Sequence, residues 1–435
     1  MSEIFEIAYA AATNRLCLFT GTGFSKEVSD NSAPSWKGLL MELCNCLPNP
    51  EKIKNSLFPT DKDSALSLEE AAQVIAINLA SEDKSIHAEI AEIIEKIKLS
   101  GNVTSIQEFF SKQSFRVVTT NYDKLSELLA AGNTVQSITP GLPIPRSSAN
   151  VKVYHVHGSL DSPPNMVVTS EDYFKFLNTD SYFSRKLSTV LHENTVVILG
   201  YSLGDTNLKA IISDYKGFSK SHVVGSNIFL VSRNAVDQNI KDYYFHCYGI
   251  RVLDSIGITT FFESVNKTLP EAENYSTSLR AFKKVIYENR SFSESFLKVE
   301  DSFYRIISAV AAEGLSWNNE LVVKMLGDVI EEKTRLTTER NAWVQYEHLA
   351  RWLIYLGTIF EVKGTSIEGK YLDAVLRSMT TMRRELYIGY SWHAYKSWES
   401  RWPTVIVSNR NIIKKFIIDN TNWPDALAVV NRIDL

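Results

Sequence analysis

Six short apolar runs separated by stretches of helical periodicity constrain the fold of this chain more than any other feature. They are LCLFT (16–20), FRVVT (115–119), VKVYHV (151–156), TVVIL (195–199), NIFLV (227–231) and IRVL (250–253). Runs this short and continuously apolar read as strands buried on both faces, and their alternation with helices is the pattern of a doubly wound parallel sheet. The expected class is α/β, with a Rossmann-type parallel sheet, a helical insertion at about 66–112 and an all-helical C-terminal part.

Four of the runs end in a polar motif. Gly21, Asn121, His157 and Gly200 each lie just past the C-terminal end of a predicted strand, the edge at which open α/β sheets bind ligands. In the first motif, TGTGFS, glycine permits positive φ and close approach of the backbone to a pyrophosphate. The dinucleotide fingerprint would need a third glycine where Lys26 stands, and no Gly-Lys-Ser/Thr follows. Read alone, the turn is as well explained as a tight turn at a strand end. Asn121 can make an Asx turn and Asp123 can cap the helix KLSELL, roles compatible with function. His155 and His157, two residues apart, share a strand face, but no third residue with metal-ligand spacing accompanies them, and no metal site is expected.

Composition narrows the class further. Hydrophobic residues make up 44% and charged residues 22%, no apolar run has the length of a bilayer-spanning helix, and the N-terminal stretch is acidic and amphipathic rather than a signal core. A cytoplasmic protein without membrane contact is expected. The net charge of −4 gives no basic footprint for direct nucleic-acid binding. Cys17, Cys44, Cys46 and Cys247 fit neither a disulfide framework nor a zinc site and read as free thiols, Cys17 and Cys247 in the core. A polar loop is expected at 24–35, then a helix from Ser35-Trp36 through Cys46, and Ser170 is the natural cap of SEDYFKFL. Beyond about residue 264, NKTLPEAENYSTS reads as a polar connector, dividing the chain into 1–265 and 278–435. The second part contains the apolar helix EHLARWLIYLGTIFEV and the tryptophans Trp392, Trp398, Trp402 and Trp423, which read as core.

Taken in order, the motifs resemble those of the bacterial sirtuin-like NAD-hydrolysing domains of antiphage defence proteins, over roughly residues 10–265. Thr20-Gly21-Thr22-Gly23-Phe24-Ser25 with Pro34-Ser35-Trp36 is similar to that family's Gly-Ala-Gly-x-Ser loop and Pro-Ser-x-Trp. Thr119-Thr120-Asn121-Tyr122-Asp123 resembles its Thr-Thr-Asn-Tyr-Asp signature, His157-Gly158 its catalytic His-Gly, and Gly200-Tyr201-Ser202-Leu203 with Asp205 its Gly-Tyr-Ser-x-x-Asp element. The resemblance implies NAD as substrate, with the diphosphate on Gly21, Thr22, Gly23, Phe24 and Ser25, where a Cβ at Gly23 would intrude. It implies Asn121 and Asp123 beside the nicotinamide and ribose and His157 beside the ribose hydroxyls, these three being catalytic. Trp36, Gly200, Ser202, Asp205 and Ser232 complete the implied cofactor-binding set.

Cleaving the nicotinamide–ribose bond passes through an oxocarbenium-like centre and needs a placed water. An imidazole such as His157 can take a proton near neutral pH, and Asn121 offers both a donor and an acceptor. The classical sirtuins carry a four-cysteine zinc module and a glutamine where this chain has Thr120, so no zinc is expected and water suits the acceptor role better than an acyl-lysine. The implied activity is an NAD glycohydrolase giving nicotinamide and ADP-ribose, the effector of an abortive infection. Competing readings are a zinc-free deacylase or ADP-ribosyltransferase using His157, and a silent NAD or ADP-ribose sensor. An activity that consumes cellular NAD implies an off state, for which the helical C-terminal part is the expected assembly or control element. A homo-oligomer is expected, and relatives of this length with a helical tail make an ATPase of the HerA family the partner to look for.

Overall fold

In a computed structural model of the protein, the described residues are 2–59, 64–144, 146–178, 189–190, 193–201, 228–276, 279–288, 290–312, 315 and 319–432. Seven strands form one sheet: β1 Leu16–Thr20, β2 Phe115–Thr119, β3 Val135–Ile138, β4 Val151–His155, β5 Thr195–Leu199, β6 Ile228–Val231 and β7 Ile250–Leu253. Their order is β3-β4-β2-β1-β5-β6-β7 and every pairing is parallel. The fold is α/β and Rossmann-like, with a helical C-terminal region. β1 and β5 are buried at all five positions, so a run with no polar alternation is what a central parallel strand requires.

Alternate residues of each strand feed two cores. Leu16 and Leu18 of β1, Val117 of β2 and Val197 and Leu199 of β5 face one cluster, which continues into the helical C-terminal region. Cys17, Phe19, Val118, Val196 and Ile198 face the other. The first face is covered by α1 (Ser2–Ala12), by α7 (Thr104–Lys112) and by the helix Ile258–Ser276, which packs along α1 and α7. A buried ion pair ties the edge strand to this layer: Arg251 Nη1 of β7 lies 2.7 Å from Glu6 Oε2 of α1, and its Nη2 reaches Tyr355 Oη of the C-terminal region at 3.2 Å. A third cluster lies between α3 (Trp36–Leu43) and α4 (Pro50–Leu57) and the insertion's α5 (Leu68–Ala80) and α6 (Ile86–Glu95), which bury Leu40, Leu57, Ile75, Leu79 and Ile90 together with Tyr122 and Val168. No helix among the described residues is long and apolar enough to cross a membrane.

Several local expectations are corrected. The 24–35 segment is not all loop, because α2 (Thr22–Val28) starts directly after Gly21 and buries Phe24, Ser25 and Val28. Residues 266–276 are not a connector but the second half of the helix Ile258–Ser276, which carries Pro270 inside it. Phe261, Phe262, Val265, Leu269 and Ala272 recur at helical steps and are buried, and that stripe outweighs the missing N–H of one proline. The cap of α9 (Ser170–Asn178) is Thr169, not Ser170: its Oγ1 accepts from Asp172 N at 3.2 Å while Asp172 Oδ2 accepts from Thr169 N at 3.0 Å, a reciprocal pair. Ser170 Oγ instead donates to Gln73 Oε1 of the insertion at 3.4 Å.

None of the four cysteines is in a disulfide. Cys17 is in the core, where burial pushes its thiol up to about 12, and the other fully buried one is Cys44, whereas Cys247 is only half-buried. Among the C-terminal tryptophans, Trp398 and Trp402 are buried, and Trp392 and Trp423 are partly exposed. The apolar helix is Trp343–Ile359, with ten of its residues buried.

Candidate active site

The chain lays down β1, builds β2, β4 and β3 to one side, and returns to place β5, β6 and β7 on the other. The boundary between β1 and β5 is therefore the topological switch point, where the two following turns diverge and leave a crevice. Both turns carry glycine. Gly21 N donates to Leu199 O and Gly23 N to Gly200 O, each at 3.0 Å, and Phe24 N closes the turn on Gly21 O at 2.9 Å. Gly200 has φ +74°, and a Cβ there would lie 2.0 Å from Phe24 N. A Cβ on Gly23 would lie 2.7 Å from Gly200 O, and one on Gly21 would lie 2.7 Å from the Tyr201 ring. The backbone of the adjacent turn thus already excludes a side chain at Gly23. The side chain of Phe24 is 1% exposed and stacks on Phe110, with centroids 6.2 Å apart, so it belongs to the core and leaves only its backbone to the turn.

Beside this turn lies a cavity of about 580 Å3, lined by Thr22, Ser25 and Trp36, by Thr120, Asn121 and Asp123, and by His157. Three of the four predicted strand-end motifs, and Tyr201 of the fourth, meet there. Asn121 is held by its amide: Nδ2 donates to Gly21 O at 2.9 Å and to Ser25 Oγ at 2.7 Å. Ser25 Oγ in turn donates to Asp123 Oδ2 at 2.7 Å, and Asp123 Oδ1 accepts from Leu125 N at 3.0 Å. Burial pushes the Asp123 carboxyl above its usual range, against the hydrogen bonds from Ser25 and Leu125 and the charge of His155. Asp123 thus makes an Asx turn onto the first residue of the helix Leu125–Leu129, whose N-cap is Lys124 and not Asp123 as expected, and it also ends a side-chain chain that begins at Asn121.

Two polar atoms of residues on this wall are buried without a partner among the described residues, Asn121 Oδ1 and Trp36 Nε1. Such atoms carry an unmet desolvation cost of about 1–3 kcal/mol each, and they mark an acceptor and a donor for a bound group.

His157 is 5% exposed and held edge-on between Tyr173 and Phe176, with centroids at 5.4 and 5.3 Å. Its ring makes no hydrogen bond to a described residue, while its backbone carbonyl accepts from Val167 N at 2.8 Å. Burial pulls its imidazole down to about 4, so the ring is neutral at physiological pH and titrates below the near-neutral range expected of it from the sequence. Gly158 behind it has φ +87°, and a Cβ there would meet Met166 Cα at 2.7 Å, which accounts for glycine after this histidine. His155 does not join His157 as a ligand pair. It is fully buried, with Nε2 2.8 Å from Glu127 Oε1 and Nδ1 3.1 Å from Asn121 O.

A second cavity of about 740 Å3 opens on the far side of the glycine contact, lined by Gly23, Gly200, Tyr201, Ser232 and the 233–237 segment. Ser232 lies here and not with Asn121. Ser202 and Asp205 fall outside the described residues. Sequence reading missed several wall residues. Ser67, Glu69, Ile94 and Ile97 come from the insertion and close the first cavity. Tyr201 was read only as part of a motif, but its hydroxyl lies 2.6 Å from Thr120 Oγ1 and its ring stands over Gly21 between the two cavities. The TNYD and GYS motifs stood beside these residues. Nothing in the chain pattern pairs the two.

Residues 116–253 match the family model described as a SIR2-like domain. The chain is similar to defence-associated sirtuin 2 of Bacillus subtilis, 21% identical over 262 residues that cover 59% of this chain and 24% of that protein. It is also similar to the NAD(+) hydrolase ThsA of Enterococcus faecium, 36% identical over 104 residues, or 22% of each chain. The matched stretches thus span about a quarter or less of either relative's length.

Proposed function

We propose that this chain is an NAD glycohydrolase that cleaves NAD to nicotinamide and ADP-ribose and acts as an antiphage effector by depleting the cell of NAD. The observation that carries the reading is Asn121, a residue of the cavity wall beside Asp123 and a neutral His157, whose amide is fixed through Nδ2 while its buried Oδ1 has no partner among the described residues. The names of the similar proteins, one for defence and one for NAD hydrolysis, support it from outside the geometry.

The reaction breaks the bond from ribose C1′ to the nicotinamide nitrogen, and the electron pair leaves with nicotinamide. Water adds to the cationic C1′, and its proton passes to His157, whose unprotonated ring suits that task. Asn121 Oδ1 accepts from the carboxamide or from that water, and the carboxylate of Asp123 stabilises positive charge developing on the ribose. The turn at Gly21, Thr22, Gly23 and Ser25 carries the diphosphate between the two cavities, with Gly200 and Ser232 toward the adenosine end and Trp36 Nε1 donating in the first cavity. Ser202 and Asp205 remain proposed cofactor contacts. The helical region 278–435 is the assembly or control element, through self-association or a HerA-type ATPase, that holds the enzyme off before infection.

Incubation of the full chain with NAD tests this, with nicotinamide followed by chromatography. Nicotinamide is released, and Asn121→Ala lowers the rate by at least about a hundredfold with NAD binding retained, the scale of losing one oriented polar group at a reacting centre. Binding of NAD with no nicotinamide released, alone or with partner proteins, would instead establish a sensor.

The pH dependence follows from the same ring. The base is active when unprotonated, so kcat/KM stays level from neutrality down to about pH 5 and falls as pH approaches His157's value of about 4. The folded state binds this proton less readily than the unfolded chain. Acidification below the ordinary histidine value of 6.5 therefore also lowers stability, and folding is monitored alongside the rate. A half-maximal rate at about 6.5 would show that the catalytic base is an unburied histidine or another group.

A further inference from the structure

Asn121 is held from its backbone as well as from its amide. Its carbonyl faces Nδ1 of His155 at 3.1 Å, and the other ring nitrogen, Nε2, faces Glu127 Oε1 at 2.8 Å. A peptide carbonyl only accepts hydrogen bonds, and so does an ionised carboxylate. The Lys124 ammonium, 3.0 Å from Oε1, favours the ionised form of Glu127, whose carboxyl lies below its usual range. A ring placed between two acceptors has to donate from both nitrogens. His155 is then an imidazolium, fully buried at the end of β4, locked by Glu127 of α8 (Leu125–Leu129) and donating into the loop that carries Asn121 and Asp123.

The other charged groups around it are few. Lys124 Nζ also engages Asp161 and, at 2.6 Å, Ser137 Oγ, and it meets the same Glu127 oxygen that faces His155. Asp123 lies on the same loop, and the positive charge of His155 opposes the burial that pushes its carboxyl up. Neither His155 nor Glu127 lines the cavity. Each acts through another residue.

We propose that Glu127 and His155 are a positioning pair for the proposed reaction. The imidazolium fixed by Glu127 donates to the Asn121 carbonyl and sets the height at which Asn121 Oδ1 meets the substrate. This rests on the reading that Asn121 and Asp123 act on NAD. None of the motifs that suggested that reading contains Glu127 or His155.

Two measurements on the full chain test the pair. In protein labelled with 15N-histidine, the long-range 15N–1H correlation at pH 7.5 is expected to show both ring nitrogens of one buried histidine protonated, and that signal disappears in His155→Gln. A single neutral tautomer for His155 overturns the pair. The kinetic test is Glu127→Gln, which removes the charge but keeps the shape. It is expected to lower kcat by about 10- to 100-fold, the cost of misplacing a reacting group by a fraction of an ångström, with KM within about threefold. A folded Glu127→Gln enzyme with wild-type kcat overturns the positioning role. Where that variant does not fold, the ring state of the wild type decides. If the wild type leaves NAD intact, the glycohydrolase reading fails and the pair is still judged by the ring state, which needs no substrate.

Discussion

Alanine at position 157 abolishes nicotinamide release and leaves the fold in place. A positioned base contributes about a hundredfold to ten-thousandfold to such a step, and His157→Ala is expected to lose that factor in kcat. The fold survives for a specific reason. The ring makes no hydrogen bond to a described residue and only edge contacts with Tyr173 and Phe176, while the bond that fixes this segment, Val167 N to His157 O, is made by backbone. Losing the ring removes apolar contact without stranding a buried polar partner, so the melting temperature shifts by a few degrees at most. A variant that keeps a rate within about tenfold of wild type moves the catalytic base elsewhere in the cavity.

Alanine at position 200 has the largest expected effect on structure. Gly200 has φ +74°, where an L side chain is strained by roughly 1–2 kcal/mol, and its Cβ would stand 2.0 Å from Phe24 N and 2.6 Å from Gly23 C. Neither neighbour is a flexible side-chain tip. Both are backbone at the start of α2, and Phe24 is fixed in the core by Phe110. The turn cannot yield without moving α2, and with it Ser25 and the Asn121 amide that Ser25 holds. Gly200→Ala is therefore expected to destabilise the protein by at least about 3 kcal/mol, seen as an early melting transition, and to lose NAD binding as well as turnover. Gly23→Val acts at the same contact through Gly200 O, so the double variant costs little more than either single change. Full additivity in a double-mutant cycle would separate the two turns.

The strands were legible because of where they sit. β1, β5 and β6 are buried at every position and read as unbroken runs, as strands covered on both faces must, and β2, β4 and β7 are runs interrupted by a single Lys or Arg. β3 was not legible, because Val135–Ile138 is the sheet's edge: its burial alternates, its buried partners are Gln136 and Ile138, and VQSI does not stand out from its surroundings. The helix through Pro270 was misread because composition there is polar, while the buried stripe of Val265, Leu269 and Ala272 is visible only once α1 is beside it.

The site divides in the same way. Asn121, Asp123, Ser25, Trp36 and His157 could be picked out because each belongs to a short polar motif at a strand end, and parallel strands deliver their C-terminal ends to one edge. The walls from the insertion, the Tyr201–Thr120 contact and the Glu127–His155 pair depend on packing between segments distant in the chain, and no local pattern announces them. Gly23 and Gly200 meet the backbone of each other's turn and Gly21 meets the Tyr201 ring, contacts that their spacing does not show.

The most direct test of the central claim is the fate of oxygen in the product. Full-length protein is incubated with NAD in water enriched in 18O, and the products are separated and weighed by mass spectrometry. The account predicts nicotinamide and free ADP-ribose in equal amounts, with one 18O on the ribose C1′ of ADP-ribose when it is trapped before exchange. Nicotinamide released with ADP-ribose attached to the protein, or to an acyl group supplied on a lysine peptide, would contradict it and assign the site to a transferase or deacylase.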